Sequence, residues 1–407
     1  MANVTIGGGN LQTVTLTYDT TSKVALAQQI AAQISAEASA GKVVLATDLD
    51  PPVVPPGDVG VFLQTGQGVV TLPPGFTVDL VQTAGNAALM GNGSDNQAIL
   101  SGSATNLTFV ETGGSGTVVA GGGNNRFQVG GPGSWSLNTG SGNDVIAALG
   151  GGANTIHAGG GNNAIQLGSG SDLVVSIGDD SIQGGSGNAT VDASNASSDF
   201  VRGGSGNLLF LGGSGGATIL GGTGSDTYFG SAGTVSGAQL VIGGSAGNNL
   251  LYAGDGAATL MGGGNNDQLY AYGASNQVLM AAGGNETLSA VLSGGNDSLH
   301  AGGGSDQLLG GTGNDTFVGG SGTATVNAGS GSDVYTFIKG QAGGSELVQG
   351  VYDASGIKIN LQGYGHGEVN AALASQVTTP AGVTISLSDG TKVTFQDVTA
   401  LHHSNFI

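Results

Sequence analysis

Four aspartates in one stretch of chain pose the chemical question. Asp297, Asp315 and Asp333 recur at 18-residue intervals, and Asp306 falls midway between the first two. Each ends a glycine-rich run: SGGND, AGGGSD, GGTGND and AGSGSD. If turns 18 residues apart lie over one another, two carboxylates and the turn carbonyls meet in one slot. Such a flexible, all-oxygen donor set suits Ca2+, whose ligands sit at about 2.3–2.6 Å. The spacing gives Asp297, Asp315 and Asp333 a single column. Asp306 falls on the opposite side, where its counterpart one coil on is Ala324, so that column is expected to bind incompletely. The same turn position holds Asp144, Asp172, Asp226 and Asp267. Asn154 and Asn163 occupy it in two other coils, and Ala189, Ala217 and Ala324 in others. Asparagines can stack in hydrogen-bonded ladders without metal. Calcium turns are therefore expected near 139–175, 221–229 and 262–336, with metal-free polar ladders elsewhere.

The elements that must position these residues repeat every nine residues. AGGGSDQLL, GGTGNDTFV, GGSGTATVN and AGSGSDVYT run without a gap from 301 to 336. Six residues make a turn and three make a short strand, of which only the middle side chain faces inward. Two nonamers form one 18-residue coil, and strands on one side stack about 4.8 Å apart. Leu308, Phe317, Val326 and Tyr335 are the expected core. Glycine supplies 83 of 407 residues, against an average of roughly 7%. Collagen would need glycine at every third position with abundant proline, and proline totals 8. A disordered chain would be poor in apolar residues, and these reach 38%. A repeat solenoid remains.

GGTGNDTFVGG and AGGGSDQLLGG resemble the repeats-in-toxin (RTX) nonapeptide G-G-x-G-x-D-x-U-x, with U a large apolar residue. The resemblance implies an all-β fold: a parallel β-roll, or β-solenoid, with calcium in its turns. It also implies export through type I secretion machinery, read from an uncleaved C-terminal signal. The tail segments DVYTF, INLQGYG, LSDGTKVTF and SNFI are similar to that family's C-terminal cap and signal. Folding would then wait for calcium outside the cell, because binding energy is folding energy in such systems.

Three regions follow: an N-terminal segment, 1–60; the solenoid, 61–340; and a C-terminal cap, 341–407. LQTVTLTY alternates like a strand and could pair with a neighbouring subunit. Ser22 to Ala40 reads as an amphipathic helix, capped by Thr21 or Ser22 and ended by Gly41. Leu26, Ile30 and Ile34 share one of its faces, and the helix is expected to cover the open end of the solenoid. Residues 48–58 read as a proline-rich hinge. In the tail, IKINLQ, GVTISLSDG and TKVTFQDV read as strands and EVNAALAS as a short helix.

The net charge of −20, with only 7 Lys and Arg, excludes phosphate-rich partners, which need clustered cations. Nucleic acid and membrane insertion are not expected, and no apolar run approaches the roughly 20 residues of a membrane span. Cysteine is absent, which leaves metal as the staple. The first residues carry no secretory signal pattern. GGSGG (212–216) and GGSAG (243–247) fit G-x-S-x-G, but lie among solenoid turns. The histidines, His157, His300, His366, His402 and His403, form no zinc motif. About 60 residues without histidine precede the solenoid, too few for a catalytic domain, so no enzyme is expected. The leading expectation is a secreted protein that assembles with itself into a filament, biofilm matrix or surface layer. The alternative is a monomeric adhesin that binds surface or matrix polysaccharide on an aromatic platform. Trp135, Tyr228, Tyr252, Tyr270 and Tyr272 are candidates for that platform. A threonine row for ice binding begins at Thr316 and Thr325, but Gln307 and Val334 interrupt it.

Overall fold

In a computed structural model, residues 1–8, 11–47, 50–231, 233, 237–351 and 354–407 are described. Two units divide them, Met1–Gly206 and Asn207–Ile407. Both are parallel β-solenoids, because each short strand pairs with the strand two ahead of it. In the first unit Val145 pairs with Ala164 and Thr155 with Leu173. In the second Ser298 pairs with Thr316, Thr316 with Val334, and Gln307 with Thr325. One coil therefore holds two strands, one in each of two sheets, as the nonamer spacing requires.

Strict alternation places one large side chain per strand inside. Leu308, Phe317, Val326 and Tyr335 are all buried. Leu308 lies over Val326 in one sheet and Phe317 over Tyr335 in the other. The Phe317 and Tyr335 rings stack at 5.8 Å. Such a core is thin, so the turns must close tightly. Gly313 shows why the turn requires glycine: a Cβ there would overlap the carbonyl oxygen of Gly295 in the coil before. Gly331, one coil on, also has φ +143°, an angle L side chains rarely adopt.

The first unit opens with a two-stranded hairpin and a helix. Strand β1 (Ala2–Gly8) pairs antiparallel with β2 (Leu11–Tyr18). Strand β1 thus covers one edge of LQTVTLTY. Helix α1 spans Thr21–Ser39, and its N-cap is Thr20, with no side-chain cap bond. Neither Thr21 nor Ser22 caps it. Gly41 follows the last turn with φ +73°, as a helix terminator should. The buried face of α1 is Lys23, Ala27, Ala31, Ile34 and Ala38; Leu26 and Ile30 flank it. Small alanines let the helix lie close to the hairpin, and Lys23 forms an ion pair with Asp19.

Hairpin and helix share one apolar cluster with Val61, Leu63, Val78, Leu80, Leu100 and Val119. Those residues stand on four successive strands of one sheet. The N-terminal elements therefore lie along the flank of the first coils, not across the open end. Parallel pairing starts at β3 (Val43–Ala46), which runs beside β4 (Val59–Gln64). Within the proline-rich 48–58 stretch, Asp48 and Leu49 lie outside the described residues, and 51–58 loops between these two paired strands.

In the second unit the parallel coils continue past residue 340. Strand Ser345–Gln349 pairs with Thr323–Asn327, and Lys358–Gln362 with Val334–Ile338. Lys392–Gln396 then extends the first of these sheets, and Gly382–Ser386 turns back on it antiparallel. Helix α2 (Glu368–Ala374) accompanies that hairpin. All four elements expected in the tail are present. Phe395 closes the end of the core edge-on to Tyr335, at 5.6 Å.

Candidate metal sites in the turns

Each column aspartate ties its coil to the one before. Its Oδ1 accepts the backbone N–H of the equivalent residue one coil earlier. Asp297 N donates to Asp315 Oδ1 at 2.8 Å, and Asp315 N to Asp333 Oδ1 at 2.8 Å. Gln277 N donates to Asp297 Oδ1 at 2.7 Å. The three expected carboxylates thus form one column, with one side chain per coil. Oδ2 is turned toward the glycine turn. In Asp315 it accepts Gly311 N, and in Asp306 it accepts Gly302 N.

On the opposite side Asp306 stands in register with Ala324, as the spacing requires. It also has an acidic neighbour that the nonapeptide signature hides. Glu286 donates its backbone N–H to Asp306 Oδ1 at 3.0 Å. The sequence AGGNETL shows glutamate where the repeat calls for aspartate, so only the coil spacing marks it. Burial first, then the Asp306 carboxylate, pushes the Glu286 carboxyl well above its usual range.

Along the stacked coils, buried carboxylate oxygens without a hydrogen-bond partner include Oδ2 of Asp144, Asp172, Asp199, Asp226 and Asp297, and Oε2 of Glu286. Leaving such an acceptor unpaired costs about 1–3 kcal/mol, more when it is charged. Among the described residues no three acidic or imidazole side chains converge. The slots thus offer carboxylates one or two at a time, backed by turn backbone. Unpaired oxygens of this kind fit a hard divalent ion.

Other coils bridge the same slot with a side-chain amide. Asn154 Nδ2 donates to Gly152 O at 3.1 Å and to Asp172 Oδ1 at 2.9 Å. Asn249 does the same to Gly244 O and Asp267 Oδ1, and Asn125 to Gly123 O and Asp144 Oδ1. Asn163 Nδ2 donates to Asp180 Oδ1 at 2.7 Å. A hydrogen-bonded ladder does run through Asn154 and Asn163, but it alternates Asn with Asp. Asp144, Asp172 and Asp267 each take an amide donor that Asp297, Asp315 and Asp333 lack. Asp226 receives Leu208 N on Oδ1 and donates its own N–H to Asn249 Oδ1. Ala189 and Ala217 are buried at the corresponding positions.

A second ladder, one residue earlier, was not anticipated. Asn314 N donates to Asn296 Oδ1, and Ser332 N to Asn314 Oδ1. Asn124, Asn143 and Asn162 repeat this in the first unit. Its signal is the recurrent Asn or Ser just before the aspartate.

Burial raises the carboxyl pKa of Asp144, Asp172, Asp226, Asp297 and Asp333. It carries Asp199 to about 6, from an ordinary 3.8. The folded, metal-free chain thus holds protons that the unfolded chain has released. That share of stability is complete below the unfolded pKa and is lost as pH rises through the folded one. In chelator the melting temperature should therefore fall between about pH 4 and pH 7. Calcium must displace the same protons, so its affinity should rise over that window. Thermal melts and calcium titrations across the range check both signs, and a flat chelator profile would contradict them.

The remaining candidates disperse. Trp135 is buried in the core, 5.2 Å from Phe109, and Tyr228 is buried against Phe210. Neither can serve an exposed platform. Tyr252 and Tyr270 do come together, stacked at 4.4 Å, with Phe229 next in line. Thr316 and Thr325 lie in different sheets and begin no common row. Ser214 and Ser245 sit between solenoid strands, not at a strand-to-helix elbow.

A β-roll whose stacked turns carry aspartates with unpaired oxygens defines a calcium-binding repeat architecture. The family model for the RTX calcium-binding nonapeptide repeat matches residues 139–174, 173–195, 242–269, 291–326 and 300–335. The chain accordingly carries RTX nonapeptide repeats, and these repeats are calcium-binding. No curated protein matches the sequence.

Proposed function

We propose that this chain is an extracellular structural protein that calcium folds and that then assembles with further copies of itself. The observation that carries the reading is the Asp297–Asp315–Asp333 column, where like charges are held in successive coils with Asp297 Oδ2 unpaired. Asp297, Asp315 and Asp333 would hold calcium together with turn carbonyls. Asp306 with Glu286, and Asp226, would form further sites; Asp144, Asp172 and Asp267 would be weaker ones, already served by amides. The bound ion supplies positive charge where −20 must be brought together. Without it the coils repel, which suits a chain exported unfolded by type I machinery into millimolar calcium. Among the described residues no helix is long and apolar enough to cross a membrane.

Self-assembly draws support from the outer faces of the second unit. Leu211, Phe229, Tyr252 and Tyr270 line up on one sheet. Leu220, Ile242, Met261 and Met280 line up on the other. Two uncharged columns on opposite sheets invite side-by-side packing once the turn charges are neutralised. The second reading, a polysaccharide-binding adhesin, rests on the same Phe229–Tyr252–Tyr270 stack. It is disfavoured because the rings spend their faces on one another. No enzymatic role is proposed.

The test is to add millimolar calcium to the depleted chain while following circular dichroism and imaging by electron microscopy. A gain of β signal with ordered polymers is the expected outcome. A folded monomer would favour the adhesin, and no response to calcium would remove the reading altogether.

A further inference from the structure

One acidic site, partly within the repeat match at 173–195, lacks the G-G-x-G-x-D run. Strand Asp172–Ser176 joins strand Asp179–Gln183 through Ile177 and Gly178 alone, so this corner lacks the six-residue turn. Asp180 pairs in register with Asp199 in the next coil. The Asp199 turn, DASNASSD, has no glycine at all. Ser176, Asp180 and Asp199 are each at most 4% exposed.

The oxygens at this corner do not balance. Asp180 Oδ1 is satisfied by the backbone and side-chain amides of Asn163. Asp199 Oδ1 accepts Asp180 N at 3.1 Å. Ser176 Oγ lies 2.6 Å from Asp180 Oδ2 and 2.9 Å from Asp199 Oδ1. A hydroxyl has one hydrogen, so it cannot donate to both. Asp199 Oδ2, buried, has no partner. The charges that bear on Asp199 are those of Asp180 and Asp179, both negative. Two buried carboxylates thus share one hydroxyl, with only negative charge bearing on Asp199.

We infer that Ser176, Asp180 and Asp199 form a separate divalent-cation site, taking calcium between the two carboxylates with the serine hydroxyl as a neutral ligand. The site would pin a corner that no glycine turn shapes. The inference rests on the chain using calcium, as proposed above, but not on its assembly.

The experiment counts bound calcium on the full chain by native mass spectrometry and equilibrium dialysis, for wild type and Asp180→Asn/Asp199→Asn. Asparagine already stands in this column at Asn163, so the double variant fits the fold; circular dichroism in excess calcium verifies this. The expected result is one ion fewer, with the others unchanged. An unchanged count would overturn the inference and leave a proton shared between the carboxylates in its place. Ser176→Ala, which keeps both charges, should weaken that single ion by about tenfold; no change in any step would likewise overturn it. If the wild type itself binds no calcium, the calcium reading fails first, and the two failures are distinguishable.

Discussion

Asp315→Ala should lose on the order of 5 kcal/mol of stability when calcium is at about 100 times its Kd, because one ion at that excess contributes about 2.7 kcal/mol and this residue serves two slots. Asp315 is the middle of its column. Its Oδ1 holds the backbone of Asp297 and its Oδ2 closes its own turn on Gly311, while its own N–H is held by Asp333. Removing it takes a carboxylate from the slot below and the slot above. In chelator the same substitution should cost far less. There the lost acceptors are set against relief of repulsion, since Asp315 raises the carboxyls of both Asp297 and Asp333 through its charge. Melts of the variant with and without calcium read the difference directly. An equal loss in both conditions would mean that the column works by hydrogen bonding alone.

Gln277→Ala should behave in the opposite way. Gln277 stands in the same column as Asp297, one coil earlier, but fills its slot with an amide. The two hydrogens of Nε2 face Tyr272 O at 2.6 Å and Gly254 O at 2.8 Å, with Gly256 O at 3.2 Å beside them. Oε1 accepts Tyr272 N at 3.1 Å. Truncation leaves these backbone groups without partners in a site only 1% exposed. At about 1–3 kcal/mol for each unsatisfied group, the expected loss is on the order of 3–6 kcal/mol. Because no ion is involved, it should be the same in calcium and in chelator. A loss that calcium rescues would show that the slot takes metal once the amide is gone.

The contrast between these two residues marks where the sequence was legible. Asp315 sits in GGTGND, so its type, its 18-residue spacing and its turn all point one way. The pairing of Phe317 with Tyr335 and of Asp306 with Ala324 followed from arithmetic, because a parallel coil preserves spacing. Gln277 carries no such mark. It follows YGASN, and only the structure places it in the metal column. Glu286 and Asp199 were missed for a related reason. A parallel sheet fixes register through backbone pairing, so a column can change residue type, and its turn can change length, without breaking the fold.

The N-terminal segment was read in part. The pattern of α1 was clear, but its buried face is made of alanines, whose small size permits close approach and leaves little hydrophobic signal. The glycine-rich end of β1 similarly concealed a strand. Which surface the helix covers depends on the outward-facing Val61, Leu63, Val78 and Leu80. Apolar residues on both faces of a strand report burial on both sides without naming the partner.

The most direct test is a crystal structure of the chain grown in saturating calcium. Difference density should show an ion beside Asp297 Oδ2 and further ions along the column to Asp333. Slots holding only water, with that oxygen still unpaired, would contradict the assignment of this column to calcium.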